Sequence, residues 1–473
     1  MTVMLNEDVL VYIMSYIDSS RDVLSTMSTC KTMHDAGLSV LFSKRWLPIS
    51  SRPTSVLPYV HKHKERRAPM LRSVIIHPGM PADPRVLEVL TYASNLRELS
   101  IPNGEEFFSY SRLLHAITAL TSLRNLIICG VGPIALKAVE CIRSPLTSLT
   151  LIGKHDSPRL VLSPLLDRFS DSLRELSATF VDFQPTSQSF PHIHRLQLAL
   201  SQQPTAAGDL VTAFPNVRAL SLCDVSSVTS QHHLPQHESR QMINSPSWKS
   251  LDYLKGDPEV LHNMSIDCPV RHLYLEPLRF MSNMHFLQDV FPSLQPRFLT
   301  VAGLDPTSLV KWRPMFKKTP SVTHMHVDIF TGVLGSEFAT ISAYVTQILH
   351  TVKPLPLRYL ELCFKFYHAP GTVPPSDVSD FAKLVRETAT AQPSLQYVLI
   401  SSENSSLGPP SMWKVIGDGN DVAEVDLRET REKEWPEEVS RPTLRAGGGR
   451  TNTAKGRVSK NFGEDKTLIA IPI

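Results

Sequence analysis

Six-residue strips recur along the chain in which apolar residues hold the first, fourth and sixth places and the remaining places are mostly polar. They read LRSVII from Leu71, LRELSI from Leu96, LRNLII from Leu123, LTSLTL from Leu146, LRELSA from Leu173, IHRLQL from Ile193 and VRALSL from Val217. The series continues as WKSLDY from Trp248, VRHLYL from Val270, PRFLTV from Pro296, VTHMHV from Val322, LRYLEL from Leu357, LQYVLI from Leu395 and VAEVDL from Val422. Apolar residues at places four and six have the period of a strand with one face buried. Ten of the thirteen gaps between successive starts fall within the roughly 20 to 29 residues of one strand-plus-helix unit. Helical patterns fill several gaps, as from Pro133 to Ile142, where proline suits the first turn and apolar residues recur at three and four. One unit cannot bury both its faces, whereas stacked units share a core behind a parallel sheet, so an α/β curved solenoid of about fourteen units is predicted over 71–430.

The first 45 residues carry no such strip and predict three short helices. The first, Glu7 to Tyr16, has Val9, Leu10, Ile13, Met14 and Ile17 on a broad apolar face; the others run from about Asp22 to Lys31 and Asp35 to Lys44. So small a unit buries too little surface to stand alone, so part of its apolar face is expected to meet a partner or the array. Residues 46–70 read as a linker, and 431–473 as a disordered basic tail with Gly447-Gly448-Gly449.

The strips resemble degenerate leucine-rich repeats, with Val131, Lys154 and Val225 where that family has Asn or Cys. Leu5-Asn6-Glu7-Asp8-Val9-Leu10, Ile13, Tyr16-Ile17-Asp18, Asp22-Val23-Leu24, Cys30-Lys31 and Leu41-Phe42 resemble an F-box, with Asn6 where the family has proline and Met33 where it has an aromatic residue. The combination resembles the F-box and leucine-rich-repeat proteins. That resemblance implies docking on a Skp1-like adaptor through Leu5, Leu10, Ile13, Ile17, Leu24, Cys30 and Lys31, and a role as substrate receptor of a cullin-based ubiquitin ligase. A helical cap on the first repeat, within a repeat scaffold that has no ligase role, is the alternative reading.

With 473 residues, 42% of them hydrophobic and 20% charged, most of the chain is expected to be globular. Glu7 and Asp8 near the N-terminus and the short apolar runs argue against a secretory leader or a membrane span. The six scattered cysteines read as reduced thiols, so a cytoplasmic or nuclear location is expected. A formal charge of +3 gives no sign of nucleic acid. Gly130, Gly132 and Ala135 fit the dinucleotide fingerprint G-x-G-x-x-A. The strand before them carries Arg124 and Asn125 like its siblings, so an ordinary repeat turn and no cofactor are expected. No hydrolase, metalloprotease, nucleotide-binding or kinase signature occurs, and the pairs His61/His63, His192/His194 and His324/His326 lack further ligands nearby, so neither an enzyme nor a metal site is expected.

Places three and five face away from the core. In the first eight strips none of these sixteen residues is aromatic or histidine. In the next five, seven of ten are: His272, Tyr274, Phe298, His324, His326, Tyr359 and Tyr397. Exposed rings with polar handles suit a surface that binds a substrate protein, although insertions around Leu357 folding over them would bury them instead. Arginine holds the second place in eight strips (72, 97, 124, 174, 218, 271, 297 and 358) and is expected to line one rim. Such a rim suits acidic or phosphorylated segments, or else packs its stems on apolar edges.

Overall fold

A computed structural model gives the fold of residues 6–17, 20–44, 47–49, 56–80, 83–153, 160–161, 163–182, 188–200, 207–224, 246–276, 285–303, 309–330, 341–365, 381–402, 411–416 and 421–425. Three helices open it: α1 (Glu7–Met14), α2 (Ser20–Met27) and α3 (Lys31–Lys44). Asn6 caps α1, its side-chain oxygen accepting from the Asp8 amide at 3.3 Å, a use of asparagine that no proline could make. Leu10 and Met14 of α1, Val23 and Met27 of α2, and Ala36 and Val40 of α3 form a small separate core. Gly37 lets the helices close, since a Cβ there would lie 2.2 Å from Met27 Cγ and 2.8 Å from Met14 Cε. The far end of α3 belongs to the main core: Phe42 is fully buried in it, and the Phe42 carbonyl accepts from the Arg72 amide at 3.1 Å.

Among the described residues seventeen strands form one sheet. In chain order they are β1 (Leu47–Ile49), β2 (Ser73–Ile76), β3 (Glu98–Ile101), β4 (Asn125–Val131), β5 (Ser148–Gly153), β6 (Leu160–Val161), β7 (Glu175–Asp182), β8 (Arg195–Leu200) and β9 (Ala219–Asp224). After them come β10 (Leu251–Gly256), β11 (Val270–Leu275), β12 (Phe298–Val301), β13 (His324–Phe330), β14 (Tyr359–Lys365), β15 (Tyr397–Ser402), β16 (Ser411–Ile416) and β17 (Asp421–Val425). Each strand from β1 to β14 pairs in parallel with its successor, except that the two-residue β6 lies beside the end of β7 and β5 pairs directly with β7. Among the described strands the antiparallel pairings are those of β15 with β16 and of β16 with β17.

The repeating strip explains this order. Places four and six are the buried row, with Leu99, Ile101, Leu126, Ile128, Leu220, Leu222, Leu273 and Leu275 all at 0% exposure. Each fully buried side chain of this size contributes about 1.5–3 kcal/mol. Helices cover that face. Pro84–Tyr92 is typical: the Asp83 carboxylate caps it by accepting from the Arg85 amide at 2.9 Å, Pro84 takes the first turn, and Val86, Val89 and Leu90 are buried. The backbone at place two locks neighbouring units, because one carbonyl receives two amides of the next unit. Arg72 O accepts from Arg97 and Glu98 at 2.8 and 2.9 Å, and Arg97 O accepts from Arg124 and Asn125 at 2.8 and 2.9 Å. Further along, Arg358 O accepts from Gln396 and Tyr397 at 2.8 and 3.1 Å.

Three sequence expectations change. Residues 46–70 are not a bare linker, since they carry β1 and the helices Leu57–Lys62 and Lys64–Arg67, and Leu57, Val60 and Ala68 enter the main core. The strip assigned from Trp248 slips by three residues. Tyr253 pairs with Ala219 and Leu254 with Leu220, so the strip is LDYLKG from Leu251, and Tyr253 and Lys255 take places three and five instead of Ser250 and Asp252. The sixth place is Gly256, where a Cβ would lie 2.8 Å from Leu261 Cδ2 and 3.0 Å from Leu222 O, so the helix side chain fills the space a strip leucine would use. The last strip, from Val422, lies in the antiparallel β17 and is not a further parallel unit. The tail from 431 and the upstream Leu5 lie outside the described residues.

Candidate functional site

Opposite the helix-covered core, the third places of β10–β15 align. Tyr253 pairs with His272, His272 with Phe298, Phe298 with His324, His324 with Tyr359, and Tyr359 with Tyr397. In-register pairing brings the rings together: centroids lie 5.2 Å apart for Tyr253–His272 and 6.2 Å for His272–Phe298. Phe298–His324 follows at 4.5 Å and His324–Tyr359 at 5.9 Å, the last pair stacked. Each such pair contributes about 0.5–1.5 kcal/mol beyond its buried area. Cations bracket the row, with the Arg271 and Arg297 guanidiniums 5.8 and 5.6 Å from the Phe298 centroid and Lys414 Nζ 5.7 Å from that of Tyr397.

Burial divides the expected anchors. Phe298 and Tyr359 are 7% and 8% exposed, so they are not free anchors; their neighbours in the row bury them on the side of the sheet away from the main core. His272, Tyr274, His324, His326 and Tyr397 remain half-buried and reach the open face. Tyr253, missed by the sequence reading, completes the row and is 8% exposed. The slipped register hid it.

The fifth, seventh and ninth places add a charged cluster. His326 Nε2 meets Asp328 Oδ1 at 3.0 Å and its Nδ1 meets Glu361 Oε2 at 2.9 Å, while Lys365 Nζ lies 3.2 Å from Asp328 Oδ2. Burial alone lowers the affinity of the His326 imidazole for its proton, but the hydrogen bonds and charges of Asp328 and Glu361 prevail and raise its pKa to about 9. Burial disfavours the Asp328 anion, yet His326 and Lys365 hold its pKa below the usual carboxylate value. A second cluster joins Lys255 to Glu276 at 3.1 Å, with the Cys223 thiol donating to the same carboxylate at 3.4 Å. Burial, then the Glu276 charge, pushes that thiol up to about 12, so it stays protonated and a poor nucleophile. These clusters pair their charges internally. Among the described residues no three His, Cys, Asp or Glu side chains converge as metal ligands.

The glycine fingerprint has its own occupant. Gly130 adopts φ +62° and Gly132 precedes the helix Pro133–Cys141, as the motif requires. The anion at that helix N-terminus is the protein's own Glu105, whose Oε1 accepts from the Ala135 amide at 2.9 Å. A Cβ on Gly132 would lie 2.7 Å from the Glu105 carboxyl carbon. The turn therefore binds one repeat unit to the previous one.

At the N-terminus, α1 turns Leu10 inward at 4% exposure, while Val9, Tyr12 and Ile13 of α1 and Tyr16 of the turn after it are exposed at 42, 63, 50 and 66%. Their i, i+3, i+4, i+7 spacing makes an apolar stripe one helix long. Tyr12 and Tyr16 meet edge to face with centroids 5.0 Å apart. Of the residues expected to dock, Ile13, Cys30 and Lys31 are exposed, Ile17 is half-buried, Leu10 is core, and Leu5 and the Leu24 side chain lie outside the described residues. The all-apolar face of the sequence reading thus divides into a core side and an open side. The six cysteines are free thiols. Among the described residues no helix is long and apolar enough to cross a membrane. No protein-family model and no curated protein matches this chain.

Proposed function

We propose that this chain is a substrate receptor of a Skp1-cullin-F-box ubiquitin ligase, in which an F-box-like module of three helices holds a Skp1-like adaptor and a leucine-rich-repeat solenoid holds the target. The reading is non-enzymatic. A receptor of this kind works by proximity, holding a target near a conjugating enzyme carried by other subunits, so the chain itself needs no nucleophile or acid-base pair.

The observation that carries the reading is the stripe of Val9, Tyr12, Ile13 and Tyr16, large apolar side chains left open on a module whose own core is already filled by Leu10, Met14, Val23 and Met27. Contiguous exposed apolar surface of this kind marks a protein-binding face. The parallel strand-helix array behind it supports a repeat solenoid, and the ring row on its open face supports target binding.

The test is co-purification of the full chain with a Skp1 adaptor. Ile13→Asp and Tyr16→Asp put a charge where desolvation is needed, which costs several kcal/mol at an interface, so adaptor capture should vanish while the melting temperature holds. Leu10→Asp is the wrong probe, because Leu10 is core and its replacement unfolds the module. Undiminished capture by both exposed-site variants would remove the docking assignment and leave a repeat scaffold without a ligase role.

A further inference from the structure

The backbone hydrogen bonds at place two set their side chains in line. Each place-two amide donates to the place-two carbonyl of the unit before: Arg97 to Arg72 at 2.8 Å, Arg124 to Arg97 at 2.8 Å, Thr147 to Arg124 at 2.7 Å and Arg174 to Thr147 at 2.9 Å. The series runs on with His194 to Arg174 at 3.0 Å, Arg218 to His194 at 2.9 Å and Asp252 to Arg218 at 2.8 Å. The seven rungs from Arg72 to Arg218 therefore bear five arginines, one threonine and one histidine, and the acid Asp252 closes the run. Neighbouring rungs are about 4.8 Å apart, a spacing at which like charges repel. Arg97, Arg124, Arg174, His194 and Arg218 are exposed. Among the described residues the side chains of Arg97, Arg174, His194 and Arg218 have no hydrogen-bond or ion-pair partner, while Arg72 and Arg124 each direct Nη1 to a loop carbonyl, of Asn95 and Pro145. The third-place acids beside the row are engaged within their own row: Glu98 accepts from Ser73 Oγ at 2.7 Å, and Glu175 pairs with Arg195 at 3.2 Å. Among the described residues nothing balances the charge of this row.

We infer that this arginine ladder, from Arg72 to Arg218, binds an acidic, extended segment of a partner protein. Charge complementarity sets the class of ligand, because guanidinium groups hold carboxylates through paired N–H donors and relieve their own repulsion in doing so. Spacing sets its shape. Six strand steps of about 4.8 Å span roughly 29 Å, the length of about nine residues of extended chain lying across the strands. A single-stranded nucleic acid fits less well, because the third places beside these rungs hold no aromatic ring on which a base could stack. The inference stands on the ladder alone and requires neither adaptor docking nor the ring row.

The experiment uses the full chain and a fluorescein-labelled oligoglutamate of about ten residues, with oligolysine and oligouridylate of the same length as comparison probes. Fluorescence anisotropy should show oligoglutamate binding at about 50 mM salt that weakens as salt is raised. The triple variant Arg97→Gln, Arg174→Gln, Arg218→Gln should weaken it about tenfold or more. The corresponding lysine triple keeps the charge and should lose less than the glutamine triple. Lys137→Gln, Lys311→Gln, Lys317→Gln removes the same three charges at exposed positions of the helix layer, and should keep affinity within about threefold of wild type. The glutamine triple of the ladder should melt at or above the wild-type temperature, since it relieves like-charge repulsion. A lower melting temperature would show that these guanidiniums are spent within the fold and would overturn the inference. Equal losses in the ladder and helix-layer triples, no oligoglutamate binding by the wild type, or tighter binding of oligouridylate would each overturn it too. The ladder triple should still capture the adaptor, so failure of the receptor reading and failure of the ladder appear in different measurements.

Discussion

The open face changes character between β9 and β10 while the backbone does not. From β2 to β9 the third places are Ser73, Glu98, Asn125, Ser148, Glu175, Arg195 and Ala219, joined by small polar contacts such as Ser73 Oγ donating to Glu98 at 2.7 Å. From β10 to β15 the same places hold six rings. The buried row behind them stays mostly large and apolar, Ala178 and Gly256 being its small members, and place-two carbonyls such as Arg97 O and Arg358 O accept pairs of amides on both sides of the change. Separation of these roles means that the core rows specify the fold while the outward rows are free to diversify. The second half has used that freedom to build a semi-buried surface on a face that the first half leaves polar.

Truncation should show the largest difference. Phe298→Ala and Tyr359→Ala remove buried rings and should cost about 3–5 kcal/mol each, whereas Ser148→Ala at the equivalent place in β5 should stay within about 0.5 kcal/mol. Denaturant unfolding of the three variants measures this, and similar small losses at all three would erase the contrast.

Next in size is a pH effect confined to the second half. Folded His326 holds its proton up to about pH 9, against about 6.5 in the unfolded chain, so its stabilisation is complete below pH 6.5 and fades as pH rises to 9. The full contribution is about 3 kcal/mol at most. Asp328 works in the opposite sense: its folded pKa is lowered, so its stabilisation is present above the usual carboxylate range and is lost as pH falls through the folded value. Unfolding free energy should decline from pH 6.5 to 9 in the wild type, and His326→Gln should flatten that decline. An unchanged slope in the variant would show that the imidazole does not carry the charge assigned to it.

A smaller effect belongs to the first half. Glu105→Ala removes the carboxylate from the Pro133–Cys141 helix N-terminus and should cost about 1 kcal/mol, while Glu105→Gln retains an acceptor oxygen and should recover part of it. Recovery above the wild-type melting temperature in either variant would count against the helix-terminus role.

Much of the array was legible because its buried row repeats with a strand's period at near-constant spacing. The slip at β10 has a physical source. Trp248, Leu251 and Leu254 are three residues apart, so two registers satisfy the first and fourth places equally. The deciding sixth place is Gly256, which an apolar rule rejects because the space is filled by Leu261 from the helix. Trp248 itself donates through Nε1 to the Phe214 carbonyl at 2.9 Å, a closing role that its hydrophobicity does not reveal. On the N-terminal helix, periodicity located the apolar residues but not their allotment. The choice of Leu10 for the core and Ile13 for the surface depends on where α3 packs, and that contact is not encoded within α1. The ring row was legible as a compositional contrast, but the burial of Phe298 and Tyr359 arises from neighbours one strand away, a relation that strip-by-strip reading does not include.

The hairpin of β16 and β17 bears on how the protein behaves in crowded solution. A sheet of parallel strands invites more of its kind, since each new strand can dock in the register of the last. Here the chain reverses direction at β16 and again at β17, so the last described strand at that end is the five-residue β17. At the opposite end β1 is three residues long, a poor template for pairing. Each end of the described ladder is therefore a short strand, which limits how much pairing a second molecule could gain there.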